Sequence, residues 1–130
     1  MSSIFTKIIQ GEIPSYKVAE NDNFYAFLDV NPNAKGHTLV VPKKEVNKLF
    51  DLDEERYNEL MSFSRKIAIA LEKTVLCERI GMAVIGLDVP HVHVHLIPLH
   101  TMADATFGKK EKLTDIEFQE IANEIVKNFK

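Results

Sequence analysis

Residues His91-Val92-His93-Val94-His95-Leu96 alternate strictly between imidazole and aliphatic side chains. In an extended strand successive side chains point to opposite faces, so His91, His93 and His95 point one way while Val92, Val94 and Leu96 point the other. The aliphatic set belongs on a core, which leaves three imidazoles gathered on the opposite face. With His100, the same ten-residue stretch holds four of the five histidines in the chain. Such clustering needs a chemical cause.

The rest of the chain must supply a framework for that strand. At 130 residues it is the length of about one domain. Apolar patterning divides it into elements. Ser2 or Ser3 caps a short helix whose Ile4, Phe5, Ile8 and Ile9 form one apolar face before Gly11 and Pro14 end it. Tyr16–Ala19 and Phe24–Asp29 flank the polar turn Glu20-Asn21-Asp22-Asn23 and read as a hairpin. After the loop 31–36, His37–Pro42 reads as a third strand closed by proline. Asp53 caps a helix reaching to about Leu76, with Tyr57, Leu60, Met61, Ser64, Ile67, Ala68, Leu71 and Val75 at three-and-four spacing, and about 35 Å long. Arg79–Gly86 and Val92–Leu99 are two further strands, and Thr114–Phe129 a final helix with Ile116, Ile121, Ile125 and Phe129 on its buried side. Five strands, mostly joined by short turns, favour an α+β fold with an antiparallel sheet.

Strand parity also places residues beside the histidines. Tyr25, Phe27 and Asp29 share one face of the second strand, and His37, Leu39 and Val41 one face of the third. If pairing brings these sets to the histidine side, imidazoles, a carboxylate and apolar walls line one small-molecule pocket. Three readings of the triad remain open at this point. A merely solvated face is the blandest. A zinc site is the second, but three same-face residues span about 13 Å, so the outer pair cannot share an ion at about 2.0–2.1 Å and another strand would have to contribute. The third is nucleophilic catalysis on phosphorus, with His93 forming a covalent phospho-histidine while one neighbour helps orient its ring and the other hydrogen-bonds the phosphate or leaving group.

The residues His91-Val92-His93-Val94-His95-Leu96-Ile97 resemble the signature of the histidine-triad (HIT) superfamily of nucleotide hydrolases and transferases. Segments 4–14, 26–32 and 36–43 are similar to that family in order and spacing. The resemblance implies a single HIT domain over residues 1–130, with a five-stranded antiparallel sheet, a short N-terminal helix, one long central helix and a C-terminal helix. It implies a homodimer whose sheets join into one. It implies cleavage of a nucleoside monophosphate, AMP by expectation, from a phosphorus-linked leaving group through a nucleotidyl-histidine intermediate, with no metal and no cofactor. By position, His93 is the expected nucleophile, His95 a phosphate ligand, His91 a support of the triad and His37 a close neighbour. Asp29 is expected to bind the ribose hydroxyls, and Ile4, Phe5, Ile8, Phe27, Val30 and Leu39 to form the base pocket. His100 has no assigned role.

The chain departs from that pattern just before the triad. Many members carry Gly-Gln-Ser/Thr there, and an Asn or Gln eleven residues before the first histidine; here the positions read Gly86-Leu87-Asp88 and Ile80. The Gly86 backbone can still approach a phosphate. Leu87 and Ile80 offer no side-chain donor, and Asp88 must point away, take up a proton or face a cationic leaving group. The last option would favour an amine leaving group over a polyphosphate. Two rival functions follow: a nucleotide-binding protein of weak turnover, and a zinc protein.

Composition narrows the setting. The net charge of −3 argues against a general grip on nucleic acid polymers or anionic membranes, so an anion site for a purine nucleotide must be built locally. Cys77 is the only cysteine, which removes internal disulfides and multi-cysteine zinc motifs and points to the cytoplasm. Residues 1–7 lack the apolar core of a signal peptide, and no run of about 18 apolar residues occurs, so no membrane association is expected.

Overall fold

The computed structural model describes residues 2–129. Ser3 Oγ accepts the Thr6 N–H at 3.1 Å and caps α1 (Ile4–Ile9), which buries Phe5 and Ile8. Strands β1 (Lys17–Glu20) and β2 (Phe24–Leu28) are joined by a turn in which Asn21 Oδ1 accepts the N–H groups of Asn23 and Phe24 at 3.0 and 2.8 Å. Strand β3 (Thr38–Pro42) follows a loop that ends at Gly36, whose φ of +95° is the left-handed conformation glycine tolerates. A Cβ there would also stand 2.8 Å from the Val75 side chain.

Asp53 caps the long helix α2 (Glu54–Thr74) by accepting the Arg56 N–H, and its 21 residues make it about 31 Å long. Strands β4 (Arg79–Ala83) and β5 (Val94–Leu99) complete the sheet. Helix α3 (Asp115–Asn128) begins with a capping box in which Thr114 and Glu117 satisfy each other's backbone N–H groups. The sheet order is β1-β2-β3-β5-β4, and every pairing is antiparallel. The fold is therefore α+β as the element pattern predicts.

Burial divides the sheet faces by parity. Phe24, Ala26 and Leu28 of β2, Val40 of β3, and Val94 and Leu96 of β5 pack with Leu60, Ile67 and Leu71 of α2 and Ile121 and Ile125 of α3. On the opposite face Tyr25, Phe27, Leu39 and Val41 pack with Phe5 and Ile8 of α1. Strands β2 and β3 are buried from end to end because helices lie on both sides of them. That second, smaller apolar layer is the floor on which the histidines stand.

Several boundaries expected from the sequence shift by one residue, and three shift by two or more. The fourth strand ends at Ala83 rather than Gly86, and the fifth begins at Val94 rather than Val92. Pairing between β3 and β5 stops at Val40↔Val94, two residues before Pro42, which has no N–H to offer a ladder. The Val92 N–H turns instead to the Val46 carbonyl at 2.8 Å. The long helix stops at Thr74, leaving Leu76 95% exposed. Finally, Ile116 is 72% exposed, whereas Phe118, Ile121, Ala122 and Ile125 form the buried stripe of α3. Ile116 lies roughly 140° around the helix from Ile121, so both cannot face one core.

This difference is measurable by urea denaturation. Ile125→Ala should destabilise by about 2–5 kcal/mol through the cavity it leaves, while Ile116→Ala should stay within about 0.5 kcal/mol of wild type.

Candidate active site

A cavity of about 710 Å³ opens on the histidine face of the sheet. Phe5, Ile8, Phe27 and Leu39 form its apolar wall, with the half-exposed Ile4 at the edge. Val30, Gly86, Leu87 and Asp88 form the rim, where Val30 and Leu87 are exposed. Asp29, His93 and His95 stand at the polar end. The positions expected to contact a nucleotide, with Leu87 and Asp88 of the departing segment beside Gly86, thus line one cavity. His37 and His91 do not line it; they lie behind it, wholly buried.

His91 and His93 precede the strand, yet the alternation continues through them, since Val92 joins the helix-side core and Phe5 packs edge-on against both rings at 5.7 and 4.9 Å. The His93 Nδ1 lies 2.8 Å from the carbonyl oxygen of His91. A carbonyl only accepts, so Nδ1 carries the proton of the neutral ring, and in that form Nε2 keeps its lone pair. The ring of the central histidine is therefore oriented by its neighbour His91, through that residue's backbone carbonyl and not its imidazole. The His91 imidazole is engaged elsewhere. Its Nε2–H donates to the Pro42 carbonyl at 2.8 Å, and its Nδ1 accepts from Ser3 Oγ at 2.6 Å. Burial, foremost, holds this ring's pKa below the usual imidazole value, consistent with one proton and two partners.

A second chain of bonds fixes His95. The backbone N–H of Asn33 donates to His37 Nδ1 at 3.0 Å, so the proton of the neutral His37 ring sits on Nε2. That proton is donated to His95 Nδ1 at 2.9 Å, which leaves the His95 proton on Nε2. The order Asn33 N–H, His37, His95 thus makes His95 a donor while the other chain makes His93 a lone-pair base. Burial is the main force keeping both rings uncharged: the His37 pKa is pushed down to about 3 and that of His95 to about 4, with nearby positive charge adding to each shift.

Asp29 sits just beyond β2. Its Oδ1 accepts the Asn31 N–H at 2.9 Å, and Oδ2 lies 3.6 Å from His37 Nε2. Burial raises its pKa, offset by the Asn31 N–H and by the charge of Lys110. Asp29, His37 and His95 offer ligand atoms within 4.8 Å of one another, the one group of this kind among the described residues. It includes a single member of the triad, and His37 and His95 already satisfy each other through a hydrogen bond.

Sequence reasoning missed the residues that follow β5. Thr106, Phe107 and Lys110 line the cavity, and the Phe107 ring stands edge-on to His95 with centroids 4.8 Å apart. The segment carries no periodicity from which to infer that placement. Its fastening is a buried Asp104, which accepts the His100 and Thr101 N–H groups at 2.8 and 3.2 Å.

Comparison with known proteins finds relatives that span most of the chain. The HIT domain family model matches residues 10–102. An uncharacterized HIT-like protein of Methanocaldococcus jannaschii is 36% identical over 94% of this chain and 97% of its own length. The adenosine 5'-monophosphoramidase of Saccharomyces cerevisiae is 41% identical over 73% of this chain and 61% of its own length. Among solved structures, a Hit-like protein of Bartonella henselae, crystallised with an unknown ligand, is 33% identical with a TM-score of 0.84, covering 98% of this chain and 96% of that one.

The neutral pair predicts a pH dependence of stability. The unfolded chain protonates His37 and His95 near the ordinary value of 6.5, the folded chain only near 3 and 4. Between those limits the unfolded state binds more protons, so stability must fall as pH falls. His91 acts in the same sense, and Asp29, with its raised pKa, opposes it towards the carboxylate range. Urea midpoints should drop from about pH 6.5 to about pH 4.5, and a His37→Asn/His95→Asn double variant should show a shallower drop.

Proposed function

The chain belongs to the HIT family, and from that premise we propose that it hydrolyses a nucleoside monophosphate, AMP, from a phosphorus-linked leaving group through a nucleotidyl intermediate on His93. The observation that carries this reading is the pair of opposed tautomers at the polar end of the cavity. A bare His93 Nε2 lies next to a His95 ring that presents Nε2–H. One nitrogen can attack phosphorus while the other hydrogen-bonds a phosphoryl oxygen.

The first step forms the bond from His93 Nε2 to phosphorus as the bond to the leaving group breaks; an amine leaving group takes its proton from solvent at the open side of the cavity. The phosphorylated ring becomes cationic, and its Nδ1–H already donates to the His91 carbonyl, which stabilises that charge. In the second step water bonds to phosphorus, the bond to Nε2 breaks, the monophosphate departs and one proton passes to solvent. His37 and Asn33 act through His95 by keeping its proton on Nε2.

The apolar wall suits a flat purine between Phe5, Ile8, Phe27 and Leu39, and the Asp29 carboxylate suits two ribose hydroxyls. Strand β4 lies at one edge of the sheet with Met82 half exposed. Pairing of two such edges is the proposed homodimer. The free Cys77 supports a reducing compartment such as the cytoplasm. No helix among the described residues is long and apolar enough to cross a membrane. A second reading, a nucleotide binder of weak turnover, draws on the rim: Leu87 offers no side-chain donor and Asp88 brings negative charge to an anion site.

With a fluorogenic adenosine 5'-phosphoramidate, wild type should turn over, and His93→Ala should lose about a thousandfold or more of kcat. Rapid acid-free quenching followed by mass spectrometry should find a nucleotidyl adduct in a peptide containing His93. Tight binding without turnover would favour the second reading. Asp88→Ser should shift preference from amine-linked towards polyphosphate-linked AMP; an unchanged ratio counts against a role for Asp88 in leaving-group choice. Sedimentation equilibrium should give twice the mass of the chain.

A further inference from the structure

The segment after β5 is anchored to the loop before β3 at three points. Asn33 Nδ2 donates to the Asp104 carbonyl at 2.9 Å, Lys110 Nζ donates to Asn33 Oδ1 at 2.7 Å, and the Glu111 N–H donates to the Pro32 carbonyl at 2.8 Å. Asn33 is wholly buried, and its own backbone N–H begins the bonds that set the His37 and His95 protons. Between the anchors Phe107 adopts φ of +63°, the left-handed region that a bulky side chain enters only when its surroundings hold it there. What holds it is contact: its ring lies against His95 and His37, and Lys110 Nζ lies 5.1 Å from its centroid.

Lys110 is thereby brought into the cavity as the one lysine or arginine among the described residues that line it, opposite the two carboxylates Asp29 and Asp88. Its charge favours the unprotonated form of Asp29, His37 and His95 alike. A lysine ammonium has three N–H donors; Asn33 takes one, and Phe107 offers only a ring face. The remaining donors have no hydrogen-bond partner among the described residues, and an anion in the cavity would supply one.

We propose that Lys110 is an anion-binding residue of this site, its ammonium taking a non-bridging oxygen of the phosphoryl group beside His93 and His95. The assignment rests on the nucleotide reading of the cavity and adds to it the source of positive charge. Leu87 and Asp88 cannot provide that charge, and the neutral His37 and His95 rings do not. A phosphoryl group entering a site with two carboxylates needs a fixed cation, and the strap holds one in place before ligand arrives.

The test compares adenosine with AMP, two ligands that differ by the phosphate alone, by calorimetric titration of the full chain. Wild type should bind AMP more tightly than adenosine. Lys110→Met, which keeps an unbranched stem over Phe107, and Lys110→Ala should each weaken AMP binding about tenfold or more while leaving adenosine within about twofold. Lys110→Arg should recover most of the AMP affinity, and added salt should erode the advantage of AMP in wild type and Lys110→Arg but not in Lys110→Met. An AMP advantage that survives in Lys110→Met overturns the proposal and leaves the nucleotide reading standing. Equal weakening of both ligands overturns it too, since that marks a packing role. Failure of wild type to bind either ligand overturns the nucleotide reading, and this assignment with it.

Discussion

A backbone N–H can donate a hydrogen bond and cannot accept one, and at Asn33 that asymmetry sets the protons of half the site. Because the Asn33 N–H points at His37 Nδ1, the proton of His37 is forced to the far nitrogen, and the proton of His95 is forced in turn towards the cavity. The other half begins at an opposite kind of group, the His91 carbonyl, which can only accept and therefore leaves His93 Nε2 bare. Two rings of the same chemistry, 5.0 Å apart, are given opposite functions by two backbone groups of opposite polarity. Burial completes the arrangement, because in a dry site neither His37 nor His95 takes a second proton near neutral pH.

Such an arrangement holds only if the backbone groups stay in place, and the fold braces each of them. The loop before β3 is closed on itself by the Asp29 N–H on the His37 carbonyl and the His37 N–H on the Ala34 carbonyl. The His91 backbone is held by its own imidazole, which bridges Pro42 on β3 and Ser3 at the start of α1. Glu45 accepts the Ser3 N–H and the Thr6 hydroxyl at 2.7 Å each and ties the same helix start to the loop after β3. Helix α1 thus both supplies Phe5 and Ile8 to the cavity wall and locks the first histidine. Its short length is enough because its cap is shared with the site.

Much of this is legible in the sequence. Period-two burial is a strict constraint once a strand is recognised, so the parity of Phe27, Asp29, His37, Leu39 and the triad places them on one side of the sheet, and the structure has them there. The departures have identifiable causes. Hydrophobicity groups Ile116 with Ile121, although their angular separation on a helix excludes a common face. The strand boundaries around residues 83–94 shift because pairing ends near Pro42, a fact about a partner strand rather than about the segment itself. Thr106, Phe107 and Lys110 escape sequence reasoning because an irregular segment has no periodicity, and its course is set by a buried asparagine some seventy residues earlier in the chain.

The sequence by itself determined the elements, the antiparallel α+β architecture and the face on which the imidazoles lie, since each follows from local spacing and the exclusion of apolar side chains from water. It could not determine which nitrogen of each ring bears a proton, because that depends on backbone groups brought close from distant parts of the chain. Nor could it place the segment after β5 over His95. Those features arise only when the loop before β3, the start of α1 and the residues beyond β5 meet around one cavity, where desolvation makes each unsatisfied polar atom costly and so selects a single pattern of partners.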